Sequence, residues 1–302
     1  MYNYFILFGL VSSLFYGISI VIKKKILTDT NISSYSFSLV ETFVSAIFGA
    51  LIVIIFNVNI FSDIYLTSIL ILCGLLYGIS LIFYYYALEK DDATRVSQLC
   101  SLEVVIVPIA AIIILQESLS LESIFGICLI ISAILLLSLD KNTIFNTVKF
   151  AFIPIFIALI LWTIEDILMK YTLDFVSFLL VYFWVRFSSF VSLTIIFGSK
   201  KETRNEIKKL YYKLPKKQLY IFLIASIISS FGLLFAVITY SLGPLSIASP
   251  LVSSYPIFVA IFIYINYLYT GENIDKNISF SKQFTSSILF IFGIIIIQYF
   301  AI

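Results

Sequence analysis

The sequence predicts an all-α integral membrane protein of ten transmembrane helices. Apolar residues fill 61% of the 302 positions and charged residues only 12%, about half the charged share of a soluble domain. Mean hydropathy is +1.10. The apolar residues also fall into ten regularly spaced runs, each near the ~20 residues a helix needs to cross a hydrocarbon core of about 30 Å. None shows the two-residue alternation of a barrel strand, so helices are left to satisfy the backbone in lipid.

The first five runs cover 3–22, 35–56, 66–88, 94–115 and 121–139. The second five cover 150–170, 175–198, 218–241, 246–268 and 284–302. The run Asn3 to Ile22 is followed, not preceded, by Lys23, Lys24 and Lys25. A signal peptide has the opposite asymmetry, so this run is read as a retained span. Most connections are short and polar: Asp91-Asp92, Gln116 to Ser120, Leu173-Asp174 and Leu242-Gly243-Pro244. The exception is the basic loop 199–218, with Lys200, Lys201, Arg204, Lys208, Lys209, Lys213, Lys216 and Lys217. Its charge fits a cytoplasmic loop resting on anionic membrane lipids better than an RNA-binding segment.

Lys and Arg concentrate in the loops after odd-numbered spans, including Lys23 to Lys25, Lys90, Arg95, Lys141, Lys149, Lys276 and Lys282. The positive-inside rule then places the odd loops in the cytoplasm and both termini outside, in a plasma membrane. Net charge is +2, which gives no reason to expect a nucleic-acid partner. Cys73, Cys100 and Cys128 lie inside apolar runs without CxxC spacing, and histidine is absent. Neither a disulfide, a metal site nor a cofactor is expected from that inventory.

The chain repeats. Tyr16 to Lys24 resembles Trp162 to Lys170, an aromatic residue followed eight positions later by lysine. Glu41 falls close to where Arg186 falls, and Ser101-Leu102-Glu103-Val104 lies where Ser253-Ser254-Tyr255-Pro256 lies. This divides the chain into residues 1–140 and 141–302. Five spans are an odd number, so the second copy enters the membrane upside down. Such inverted repeats place a solute site near the midplane, between the halves.

Charges within spans cost about 2.5–3.5 kcal/mol each and mark function by default. Glu41, Glu103, Glu165, Asp166 and Arg186 qualify. In one reading Arg186 holds an anionic group of the substrate and Glu103 or Glu165 carries a proton. In the other, Arg186 is locked in a structural pair with a carboxylate. Gln98, Ser101, Trp162, Ser253 and Tyr255 complete the candidate substrate wall. Pro108, Pro250 and Pro256 interrupt spans four and nine as candidate hinges. Gly74 and Gly78 read as close helix packing, and Glu117 and Glu272 as ties within their own turns.

These residues carry a family resemblance. Ala87-Leu88, Ser101-Leu102-Glu103, Gln116-Glu117-Ser118-Leu119 and Gly126 resemble the pattern of the EamA-type drug/metabolite transporters. In the second half the matching pieces are Gly243-Pro244, Ser246 to Pro250, Ser254-Tyr255-Pro256 and Gly271-Glu272-Asn273. Val104 stands where the pattern has proline. The resemblance implies a secondary transporter for a small metabolite, amino acid or organic cation, with protons as a candidate coupling ion. A lipid-intermediate flippase or a passive channel is the alternative on the same scaffold. An enzyme is disfavoured, since the chain has no HExxH, no phosphate-cradling glycine loop and no histidine base.

Overall fold

The computed structural model describes residues 2–30, 33–61, 63–91, 93–100, 102–118, 120–138, 148–198, 200–213 and 216–270, with a few helical positions between 285 and 296. The expected tenth span lies mostly outside the described residues. Among these there are twelve α-helices and no strand. They are α1 (Tyr2–Thr30), α2 (Ser34–Ile55), α3 (Ile64–Lys90), α4 (Ala93–Cys100), α5 (Glu103–Ile114) and α6 (Leu121–Ser138). Then follow α7 (Val148–Leu173), α8 (Phe178–Phe197), α9 (Lys201–Lys213), α10 (Lys216–Leu242), α11 (Leu245–Val252) and α12 (Tyr255–Thr270).

Seven helical segments are long and apolar enough to cross a membrane, and α5 and α6 are shorter apolar helices. Their outward faces carry bare aliphatic side chains such as Ile54, Ile55, Ile64 and Ile195, which lipid solvates as readily as a protein core would. The chain is a multi-pass integral membrane protein.

Inside, small and hydroxylated residues replace the hydrophobic drive that lipid removes. Ser12 Oγ donates to Gly232 O at 2.7 Å, and Ser45 and Ser230 share a bond of 2.9 Å. A Cβ on Gly74 would collide with Ser188 and come within 2.6 Å of Val185 O. Glycine therefore lets α8 press directly on α3, as the sequence suggested.

In the long-range packing α1 lies along α10 and α3 along α7, while α8 packs against both α3 and α2. Two side-chain contacts match each other. Lys24 Nζ donates to Leu88 O and Asp91 O at the end of α3, both at 2.7 Å. Lys170 Nζ donates to Tyr240 O (2.8 Å) and Gly243 O (2.9 Å) at the end of α10. Leu88 and Tyr240 stand 152 residues apart, as do Asp91 and Gly243.

Spans four and nine are not continuous. Span four divides into α4 and α5, and span nine into α11 and α12 with a turn at Ser253-Ser254. The prolines do not mark these breaks. Pro108 and Pro250 lie inside α5 and α11, and Pro256 takes the second position of α12, where a missing N–H costs nothing.

Three further expectations change. Lys23 to Lys25 stand on α1, which continues to Thr30, and Lys23 and Lys24 are buried. They are interior groups, not loop charges, because each has an acceptor waiting inside the bundle. Part of the basic loop is the helix α9, whose Glu206 accepts from Ser36 Oγ at 2.7 Å near the start of α2. Glu117 does not tie its own turn. Gln116 closes α5 in a left-handed conformation (φ 56°), and the Glu117 carboxylate reaches the start of α11. There it accepts from Leu245 N (2.7 Å), Ser246 N (2.8 Å) and Ser246 Oγ (2.6 Å).

Candidate functional site

The helix pairs enclose a cavity of about 100 Å³, room for several waters or part of a small solute. α1 contributes Tyr16, Ser19, Ile20 and Lys23, the one-face spacing of i, i+3, i+4 and i+7. α7 contributes Trp162, Glu165 and Asp166, the first three of those positions displaced by 146 residues. Tyr77, Leu81, Tyr84 and Tyr85 come from α3, and Ser229, Leu233, Ala236 and Tyr240 from α10. Glu41, Glu103, Val252, Ser253 and Tyr255 complete the lining. The break in span nine thus opens directly onto the cavity.

One end is acidic. Glu103, Glu165 and Asp166 are buried and repel one another, and Tyr240 Oη lies 3.4 Å from Asp166 Oδ2. Aromatic rings surround them, with Trp162 and Tyr84 centroids 5.7 Å apart. At the other end Lys23 and Glu41 form a buried ion pair. Ser229 Oγ donates to Glu41 Oε1 at 2.8 Å, and the Tyr85 ring centroid is 5.9 Å from Lys23 Nζ. Three buried polar atoms on lining residues have no hydrogen-bond partner: Glu165 Oε1, Glu41 Oε2 and Tyr84 Oη.

Seven of the residues singled out in the sequence meet here: Glu41, Glu103, Trp162, Glu165, Asp166, Ser253 and Tyr255. Arg186 does not line the cavity. It is fully buried behind Tyr77, its guanidinium carbon 4.7 Å from that ring and 5.8 Å from the ring of Tyr182. Its three side-chain nitrogens meet no carboxylate; the Tyr77 and Tyr182 side chains are the polar groups beside them. Gln98 stands on α4 with its side chain outside the described residues, and Ser101 is outside them entirely. The prolines sit in helices flanking the cavity rather than in its lining.

Sequence reasoning missed Lys23, Tyr77, Ser229 and Tyr240. For Lys23 a signal existed: it lies seven residues after Tyr16, on the face that repeats as Trp162, Glu165 and Asp166. Among the described residues, no group of His, Cys, Asp and Glu is arranged to hold a metal ion.

Residues 3–139 match the EamA-like transporter family. An uncharacterized protein of Methanocaldococcus jannaschii is 30% identical over 136 residues, which span 97% of that protein and 45% of this chain. A solved structure, described only as a crystal structure of a protein, superposes with a TM-score of 0.70 over 98% of this chain and 97% of its own, at 11% identity. The last likeness concerns the fold alone, and it extends over both halves. By its sequence and its membrane helices, this chain belongs to the EamA-like transporter family.

Proposed function

We propose that the chain is a secondary transporter that carries a small organic cation across the membrane by alternating access. The observation that carries this reading is the set of unpartnered polar atoms turned to one cavity. Each buried atom without a partner costs on the order of 1–3 kcal/mol, so a polar occupant is part of the working cycle. Three carboxylates select a positive charge, and rings such as Trp162 and Tyr84 add cation–π attraction of up to about 2 kcal/mol. Glu103, Trp162, Ser253 and Tyr255 contact the substrate. Glu165 and Glu103 exchange it for protons, since the carboxylates repel one another when the cavity empties. Arg186, set behind Tyr77, acts through its charge and not as an anion clamp.

The same proposal includes ten spans arranged as two inverted five-helix units, residues 1–140 and 141–302, with odd loops cytoplasmic in a plasma membrane. The packing of α1 along α10 and of α3 along α7 supports it, as do the two lysine contacts. So does a relative whose matched length is about one half of this chain.

Thermal unfolding of the purified protein tests the cation. Alkylammonium ions raise the midpoint by mass action on the native state, whereas matched carboxylates leave it in place. Stabilisation by carboxylates alone overturns the reading. In proteoliposomes, collapsing the pH gradient stops accumulation of the ammonium ion but not its exchange; accumulation that persists removes the protons from the scheme. A steady ionic conductance favours a channel.

A further inference from the structure

The two halves carry their interior charges with reversed polarity. In the first, the base is on α1 (Lys23) and the acid on α2 (Glu41), eight residues after the N-cap Ser33. In the second, the acid is on α7 (Glu165) and the base on α8 (Arg186), nine residues after the N-cap Ser177. The first pair is closed. The second is open: Arg186 rests among the Tyr77 and Tyr182 side chains with no carboxylate partner, and Glu165 Oε1 has no hydrogen-bond partner.

We propose that Lys23–Glu41 and Arg186–Glu165 are ion pairs carried on the corresponding helices of the two halves, with the α1 and α7 members one turn apart in register, and that they close alternately, one in each state of the transport cycle. The inference rests on the inverted arrangement and cation reading above.

Three observations support it. A guanidinium offers five donors, and here it has only the Tyr77 and Tyr182 side chains beside it and no carboxylate, an arrangement tolerable in a membrane interior if another state supplies the counter-charge. Tyr77, whose ring holds the Arg186 guanidinium at 4.7 Å, also lines the same cavity as Glu165. Finally, one position explains why this pair is open. Ser229 on α10 and Tyr77 on α3 stand 152 residues apart, the same spacing that relates the two lysine contacts. In the closed pair Ser229 bonds Glu41; in the open one the ring of Tyr77 holds the guanidinium. Cys73, one turn from Tyr77 on α3, lies 3.9 Å (Sγ to O) from Glu165 O, so Tyr77 and Glu165 stand on neighbouring turns of two packed helices, α3 and α7. With α8 pinned against α3 at Gly74, the backbone stays and the Arg186 and Tyr77 side chains move.

The consequence for transport is competition. When Arg186 reaches Glu165 it takes a carboxylate away from the bound cation and favours release. When it returns to the tyrosines, the carboxylate faces the cavity again.

The chain has three arginines, Arg95, Arg186 and Arg204, which permits a direct test. Protein labelled with ¹⁵N-arginine is reconstituted in lipid bilayers without any solute, and the Nε–H signals are recorded by solid-state NMR. The Arg186 signals are those lost in Arg186→Lys. Two are expected, one ring-held and one carboxylate-bound. Glu165→Gln removes the carboxylate-bound signal, and Tyr77→Ser, which copies Ser229, shifts intensity toward it. A single Arg186 signal unmoved by Tyr77→Ser overturns the proposal, whether or not Glu165→Gln folds. No transported solute enters this measurement. Two responsive signals beside a null ammonium panel would therefore sink the cation reading while sparing the alternating pairs.

Discussion

Helices α1 and α7 turn matching faces to the cavity, Tyr16, Ser19, Ile20 and Lys23 on one and Trp162, Glu165 and Asp166 on the other, yet they furnish it with different charge. One turn away, Lys24 and Lys170 do the same job on both helices, each binding the last carbonyls of a neighbouring helix. On these two helices the lysines that hold the bundle together are thus alike, and the positions that face the cavity differ. The comparison separates scaffold from chemistry within a single chain.

The largest expected effect breaks the compensated end. Lys23→Met, which places on α1 the residue found as Met169 on α7, strands Glu41 in the interior. It should destabilise the fold by about 3–5 kcal/mol, measured by thermal unfolding in detergent. Adding Glu41→Leu should restore most of that loss; no recovery would mean the pair is not the unit we describe. Glu165→Gln acts at the other end with the opposite signature. Ammonium binding should weaken at least about 30-fold, since truncating one partner of a buried charge pair costs roughly 2–5 kcal/mol, while the folded protein survives. Wild-type affinity in that variant would remove Glu165 from the site.

Smaller effects sharpen the scaffold side. Lys24→Met and Lys170→Met each lose charge-assisted bonds to two carbonyls, worth about 1.5–3 kcal/mol apiece. The two losses should agree closely, and a clear inequality would undo the equivalence of the halves. The smallest effect is expected for Tyr84→Phe. Its hydroxyl has no protein partner, so stability should stay within about 0.5 kcal/mol while ammonium affinity falls a few-fold.

Much of this was legible in sequence because membrane insertion imposes a simple code. Run length gave the helices, and the charges at Glu103, Glu165 and Asp166 gave one end of the cavity, since an ionised group in hydrocarbon is too costly to be incidental. At the other end Glu41 was marked in the same way, but its partner Lys23 escaped. Lys23 follows the first apolar run, where a lysine reads as a loop charge, and only the extra turns of α1 carry it inside. The broken helices escaped too. Proline is the sequence mark of an interrupted helix, but here the breaks fall before Glu103, upstream of Pro108, and at Ser253-Ser254, between Pro250 and Pro256. Tyr77 was hidden among 20 tyrosines, most plausible as interfacial anchors from composition alone.

The reach of Glu117 has a consequence for how the protein is assembled. A helix start buried in a bilayer needs its free amides answered, and α11 obtains its answer from a turn that belongs to the other end of the gene. The segment after residue 140 therefore cannot complete itself. Produced as two polypeptides cut between residues 139 and 147, the pieces should be insoluble apart and functional together, and the strand of chain joining them should be dispensable.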